Sequence, residues 1–434
     1  MFFIIIIIIY LIVGLISINY PKVILPISII LMPLERFNLY IGFTLEPLLL
    51  YIPIIVLSLY INKDIFQLFK KRVLSKKDNL LYITLIIIIL SIFLSDIFSI
   101  NKFLSLKSTP YVILSFFIFL YAYMYILYYK NKIQIINTFI VSTFIVSIYG
   151  ILQFFGFLFF KIDSFHISKI LHSSTINPTA FTLYIHHILL LRPNSTFTDV
   201  NTASGFILLI IPLIISYYLV IKDKTKIIGT PYNYMLPFII FYFITTFSKS
   251  SIIGLLFSVA YIVYVFKIYN KKKFIYTLIT SILILLLIEI KYNFLYYLYI
   301  KEKFTYIEHF ILTKYSFIIF TKHILFGTGI GTFTYYFGTY IKPYIHYYYN
   351  NIDTPPLFLL WLSEIGLIGF LSYISFLSVF LRKVLLYIKK EKDVVVISLL
   401  AGFIGIIIAN LFHSYFTLLF VWEFMGITLA ISTI

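Results

Sequence analysis

Between Leu191 and Gly205 the chain reads LRPNSTFTDVNTASG, a polar, turn-forming stretch set between apolar runs. Irregular polar backbone beside a bilayer is tolerated only where it lines a cavity or is buried in protein, which makes this stretch a site candidate. It carries Arg192, one of four arginines in 434 residues. A guanidinium fork grips phosphate or carboxylate oxygens in pairs, whereas an ammonium such as that of Lys249 acts as a point charge. Asp199 and Asn201 are of the types that cap a helix, here one beginning near Thr202. Such a helix start would aim its positive end at an anion. The plainer alternatives are an Arg192 that snorkels to the membrane surface and a Lys249 that merely sits in a turn.

Other residues invite the same weighing. Glu364 falls within or just inside an apolar run, and ionisable groups at membrane depth are functional candidates by default; capping or packing near a helix start is the structural alternative. Lys322 and His323 read either as interfacial groups or as substrate contacts. Asp96, Glu289 and Glu423 lie near the ends of apolar runs and are expected at the interface. None of the eight histidines falls in a lysine-rich loop, no pair has H-E-x-x-H spacing, and adjacent His186 and His187 would point to different helix faces. No metal site or cofactor is expected. The absence of cysteine excludes disulfides, thiolate metal sites and cysteine nucleophiles.

The elements that must position these groups are membrane spans. The composition is 62% hydrophobic and 12% charged, with a mean hydropathy of +1.03; a soluble domain would carry roughly 25% charged residues. Apolar runs long enough to cross a core of about 30 Å fall near residues 2–18, 45–62, 79–98, 109–129, 136–158, 203–221, 234–248, 250–268, 275–290, 357–380, 394–412 and 415–432. The first of these lacks a basic leader and a cleavage site and reads as a retained span. A further stretch, Val23–Leu34, is short and broken by Pro26 and Pro33, and reads as re-entrant or interfacial. The +18 net charge resides mainly in short loops, as the positive-inside rule produces, so nucleic-acid binding is not indicated. The lysine-rich loops over 63–78, 130–132, 222–226, 267–273 and 382–392 fall on one side when spans alternate, which makes that side cytoplasmic and puts both termini there.

The expected fold is therefore all-α, a polytopic integral membrane protein of about twelve spans. N-terminal spans occupy 1–158, an external loop 159–202, central spans 203–290, a large external loop 291–355 between the ninth and tenth spans, and C-terminal spans 356–434. Loops beyond about 15 residues are usually functional or disordered, and the aromatic, isoleucine-rich 291–355 loop does not read as disordered. Within it, Phe304–Phe320 has helical apolar spacing suited to the membrane surface. No internal repeat is visible, which weighs against a transporter built from inverted repeats.

Four segments carry a resemblance. Arg192, Ser195-Thr196-Phe197 and Asn201 resemble R-x-x-G-T-F-x-x-x-N; Thr246-Phe247-Ser248-Lys249-Ser250 resembles T-x-S-R-G/S. His323 to Phe333, HILFGTGIGTF, is similar to P-L-x-G-x-G-x-G-x-F, with Gly327 and Gly329 as loop glycines. Asp353-Thr354-Pro355-Pro356 and Leu362 to Gly369, LSEIGLIG, resemble D-T-x-H-N leading into L-x-E-x-G-L-x-G. In this order, over roughly residues 190–370, they resemble the O-antigen ligase and polymerase superfamily, bacterial membrane glycosyltransferases that use undecaprenyl-diphosphate-linked glycans. Gly366 and Gly369 have an alternative reading as small-residue helix packing.

The resemblance implies a metal-independent transfer at the outer face of the inner membrane, from the lipid diphosphate to an acceptor hydroxyl on lipid A–core or on another repeat unit. It implies diphosphate binding by Arg192, Lys249 and Lys322, with Thr196 and Asn201 shaping the site and Glu364, His309 or His346 as catalytic candidates. The match departs from the pattern in places: Ser195 stands where the pattern has glycine, and His309 falls near a position where the family carries an arginine. Lys249 stands where the family carries arginine, and Pro355-Pro356 replace a histidine–asparagine pair; proline takes no proton. Ligase-type transfer is the first expectation, repeat-unit polymerisation the second. From another class, a transporter or flippase of an anionic lipid-linked substrate would need charges at mid-membrane and discontinuous helices.

Overall fold

The computed structural model describes residues 12–34, 39–40, 44–45, 47–61, 63–73, 78–160, 182–185, 188–220, 232–268, 309–341 and 355–434. The described residues begin with α1 (Ile12–Asn19) and α2 (Ile24–Leu31); from Pro21 onward the second segment turns 116° from the first. A short antiparallel pair, β1 (Leu39–Tyr40) and β2 (Thr44–Leu45), precedes α3 (Pro47–Ile61), α4 (Lys63–Val73), α5 (Asn79–Phe98), α6 (Lys102–Tyr129) and α7 (Lys132–Phe160). A second antiparallel pair, β3 (Thr182–Ile185) and β4 (Ile188–Leu191), leads to α8 (Val200–Val220), α9 (Tyr232–Thr245) and α10 (Lys249–Val265). Then come α11 over 309–322, α12 (Phe333–Ile341), α13 (Leu357–Glu391), α14 (Val394–Ala409) and α15 (Leu419–Ile431).

Among the described residues five helices are long and apolar enough to cross a membrane, and up to seven spans result if each bent pair counts as one. The five are α5, α6, α7, the 200–217 part of α8, and α13; α9, α10, α14 and α15 are shorter apolar helices. Helix α5 shows the environment they require. Leu81, Leu85, Ile88 and Ile92 are buried, yet Ile83, Ile86, Leu90 and Ile97 on its open face are equally apolar. A helix hydrophobic all round is at rest only inside protein or lipid. The expected span near 275–290 lies outside the described residues.

Two expectations need correction, on the 63–78 segment and on two carboxylates, and a third falls partly outside the described residues. The 63–78 segment is not simply a loop: α4 occupies Lys63–Val73, with Ile65 buried and Lys70, Lys71 and Arg72 in its last turn. The surface helix of the large loop is described over 309–322, with Leu312, Ser316 and Ile319 inward at helical spacing and Phe310 and Phe317 exposed. Asp96 and Glu423 do not reach an interface; both are buried. Asp96 accepts hydrogen bonds from Ser105 and Thr109 of the next helix, and Glu423 Oε1 accepts one of 2.6 Å from Ser28. A buried carboxylate needs such donors, because burial without them costs several kcal/mol.

Three of the basic segments, 63–78, 130–132 and 382–392, meet at one end of the bundle. Asp78, ahead of α5, pairs with Arg72 at 3.1 Å and with Lys383 of α13, and the Tyr123 hydroxyl donates to it at 2.9 Å. Lys132 pairs with Asp393 at 3.6 Å at the same end of α13 and α14. Burial opposes ionisation of Asp78, but the hydrogen bonds and charges of Lys383 and Arg72 outweigh it and hold its carboxyl below the ordinary value of 3.8. The pairing therefore stabilises fully above that ordinary value and is lost as pH falls through the depressed one. Asp78→Asn is expected to lower stability by on the order of 1 kcal/mol, since water reaches both cations. Thermal unfolding should show that deficit at neutral pH, shrinking in strong acid.

Candidate functional site

At the opposite end, the polar stretch after β4 is built into the bundle. Ser195 has a positive φ of 54°, a region that glycine enters at no steric cost. Gln153 of α7 holds it there, its Oε1 accepting from Ser195 N at 2.8 Å and its Nε2 donating to Ser195 O at 3.1 Å. Thr196 is buried and its hydroxyl has no hydrogen-bond partner among the described residues. Phe197 is fully buried against Phe206 and Phe420. Asp199 caps α8 as expected, accepting from Thr202 N at 3.0 Å, although the helix begins two residues earlier, at Val200. Asn201 is no cap: it lies in the first turn, and its Oδ1 accepts from Ser248 Oγ at 2.9 Å.

That bond joins the first sequence segment to the second, and Arg192 makes a second junction. Its Nε donates to Thr246 O at 2.9 Å, which fixes the guanidinium at the break between α9 and α10. Lys249 starts α10, and partial burial together with the nearby Arg192 charge pulls its pKa below the ordinary lysine value. Two cations thus converge on one turn. Hydroxyl groups brace it: Ser204 meets Ser251 at 2.7 Å, and the buried Tyr415 hydroxyl lies 2.9 Å from Ser251 and 3.1 Å from Ser250.

The third and fourth segments lock together through their backbones. Gly366 interrupts α13 with φ 66° and ψ −171°. The helical bonds lost there are replaced by bonds to the glycine loop. Thr328 N donates to Ser363 O at 2.9 Å and Gly329 N to Glu364 O at 2.8 Å, while Leu367 N donates to Ile324 O at 2.8 Å and Ile368 N to Leu325 O at 3.3 Å. The approach is so close that a Cβ on Gly366 would sit 2.5 Å from Gly327 N, and one on Gly327 would overlap the Glu364 carbonyl. Helix packing between small residues is not what Gly366 does. Ser95 and Ser99 of the α5 end donate to Glu364 O and Thr328 O, each at 2.6 Å.

The Glu364 side chain is buried and faces the start of α12. Its Oε1 accepts from Phe333 N at 3.0 Å, and the amides of Gly331 and Thr332 also bond to it. This carboxylate therefore caps a helix across the interface and positions the loop. Pro356 serves as the N-cap of α13, a place where a missing N–H costs nothing.

The remaining candidates separate. Lys322 is exposed at the end of α11, beside His323; partial burial and the Lys322 charge lower the His323 pKa, and its ring packs on Tyr336 at 5.8 Å. His309 lies at the other end of the described part of that helix, about 20 Å away at 1.5 Å per residue. His346 and Asp353 lie outside the described residues. Sequence reasoning missed the turn over 410–417, which links the two halves. Asn410 O accepts from Leu357 N at 3.2 Å and Asn410 Oδ1 from Tyr415 N at 2.7 Å, while His413 lies 4.0 Å from Asp199. It also missed Gln153, whose only signal was an amide inside an apolar run. Between this turn, α6, the glycine loop and α13 lies a cavity of about 350 Å³, bordered by Glu364.

No protein-family model matches the chain, and no curated protein matches it significantly. Among the described residues no group of three or more acidic, histidine or cysteine side chains is arranged to hold a metal.

Two substitutions test the loop's construction. Gly366→Ala is expected to prevent stable folding, whereas Gly156→Ala, where nothing lies within 4 Å, is expected to be silent in detergent-solubilised thermal melts. Glu364→Gln keeps an acceptor for Phe333 N and should retain near-native stability. Glu364→Ala should lose about 2 kcal/mol by stranding buried amides, read as faster proteolysis within 323–333.

Proposed function

We propose that this chain is a membrane glycosyltransferase of the O-antigen ligase type, moving a glycan from undecaprenyl diphosphate to an acceptor hydroxyl. On this reading it lies in a bacterial cytoplasmic membrane with about twelve spans, both termini in the cytoplasm and the 291–355 loop outside. Lipid A–core is the expected acceptor, in the assembly of lipopolysaccharide or another surface polysaccharide. The observation that carries the reading is the junction of Arg192 with the α9–α10 turn beside Lys249. It supplies two cations at the end of the bundle opposite the basic loops, where a diphosphate leaving group would need its charge stabilised. The left-handed Ser195, at the position where the resembled pattern has glycine, supports the same alignment.

Repeat-unit polymerisation is the second reading, favoured by Pro355-Pro356 in place of a proton acceptor. Transport of an anionic lipid-linked substrate draws on the bent α1–α2 pair and the buried Glu423 beside it.

Deletion of the gene followed by analysis of surface glycans separates the three. Loss of a ligase strands polymer on its lipid carrier; loss of a polymerase leaves single repeats on the acceptor; loss of a flippase leaves lipid-linked units on the inner leaflet. Unchanged glycans would reject all three. Arg192→Ala, inserted stably, is expected to reproduce the deletion with a loss of at least about 100-fold in transfer, the scale of one removed charge-stabilising donor. Normal glycans from that variant would remove Arg192 from the site.

A further inference from the structure

The 350 Å³ cavity beside Glu364 differs chemically from the cationic turn. Its size is at the lower end of the roughly 300–1,000 Å³ typical of small-molecule sites. Ser108 and Tyr111 of α6, Trp361 and Glu364 of α13, and Ser414 and Thr417 of the linking turn border it. No lysine, arginine or histidine is among the described residues that line it. Hydroxyl groups from α6, from Thr334 of α12 and from the linking turn therefore converge on a space with three aromatic side chains, those of Tyr111, Phe333 and Trp361, and one carboxylate. Trp361 is held in place by its ring contact with Tyr373 at 4.1 Å, and Glu364 by the loop amides it caps.

We infer that this cavity is a subsite for an uncharged sugar residue. The ligand class follows from the lining. A pyranose offers an apolar face to an aromatic ring and hydroxyls to serines and threonines, each able to donate or accept. An anionic sugar would meet Glu364 with no cation to offset the repulsion. The linking turn places this subsite next to the cationic turn: Ser414 and Thr417 border the cavity, while Tyr415 between them bonds to Ser250 and Ser251, which flank and follow Lys249. The arrangement suits a glycan whose diphosphate end lies at Arg192 and Lys249 while a neutral sugar of donor or acceptor fills the cavity. This assignment to a glycan rests on the transferase reading above; the preference for neutral over anionic sugars rests on the cavity alone.

The test is saturation-transfer NMR on the full chain in lipid nanodiscs free of glycoside detergents. The probes are methyl glucoside, methyl galactoside and methyl N-acetylglucosaminide, with methyl glucuronide as the anionic counterpart. Saturable transfer to at least one neutral glycoside is expected, with about tenfold weaker binding of the glucuronide. Ser414→Leu and, independently, Ser108→Leu should reduce the neutral signal by a similar factor. Absence of saturable binding by all three neutral glycosides would overturn the assignment, as would equal or tighter binding of the glucuronide. Stable insertion of both leucine variants with unchanged binding would do the same; if neither inserts, the neutral-to-anionic ratio in the native chain decides. Binding in a protein whose deletion leaves surface glycans unchanged would reject only the transferase reading. Altered glycans without binding would reject only the subsite.

Discussion

The end of this bundle remote from Asp78 depends on an exchange of main-chain hydrogen bonds at the Gly366 break. A helix interrupted at membrane depth exposes amides and carbonyls that lipid cannot satisfy. Here the carbonyls of Ser363 and Glu364 and the amides of Leu367 and Ile368 are all taken up by the 324–329 loop. The loop in turn has its own polar backbone buried. Each segment satisfies the other's backbone, and their contact is possible only because Gly327 and Gly366 lack side chains.

Serines extend the same logic outward. Ser95 and Ser99 bind carbonyls of the exchanged segments, and Asp96 between them accepts hydrogen bonds from Ser105 and Thr109. On the other side, the hydroxyls of Ser204, Ser248, Ser251 and Tyr415 form a connected set that ties the start of α8 to the α9–α10 turn. Short hydroxyl side chains suit this task because they satisfy buried groups at little entropic cost.

The buried carboxylates divide the molecule by function. Asp78 is held by two cations and a tyrosine at the basic end and works as a clamp. Glu364 is held by backbone amides and borders a cavity. Glu423 has one serine donor for Oε1 and no partner for Oε2 among the described residues. The same side-chain chemistry thus serves packing in one place and a polar opening in another, and the donors around each carboxylate make the difference.

What the sequence determined by itself is the class of environment and the segments of interest. Apolar runs, few charges and lysine-rich loops dictate a helical membrane protein, because a backbone in lipid must bond within its own segment. The polar stretch after Leu191 stood out for the same reason, and the glycine loop through its resemblance to a known pattern. Tertiary structure alone decided how those segments meet. Asn201 looked like a cap and proved to be a bridge to Ser248; Gly366 looked like a packing glycine and proved to be a helix break; Asp96 and Glu423 looked interfacial and are buried. In each case the deciding partner lies on another element: Ser248, Leu325 and Ser28 far along the chain, Ser105 and Thr109 on the next helix. Local spacing reports which face a residue occupies, but not which distant hydroxyl or amide will satisfy it, and that pairing assigns these residues their work.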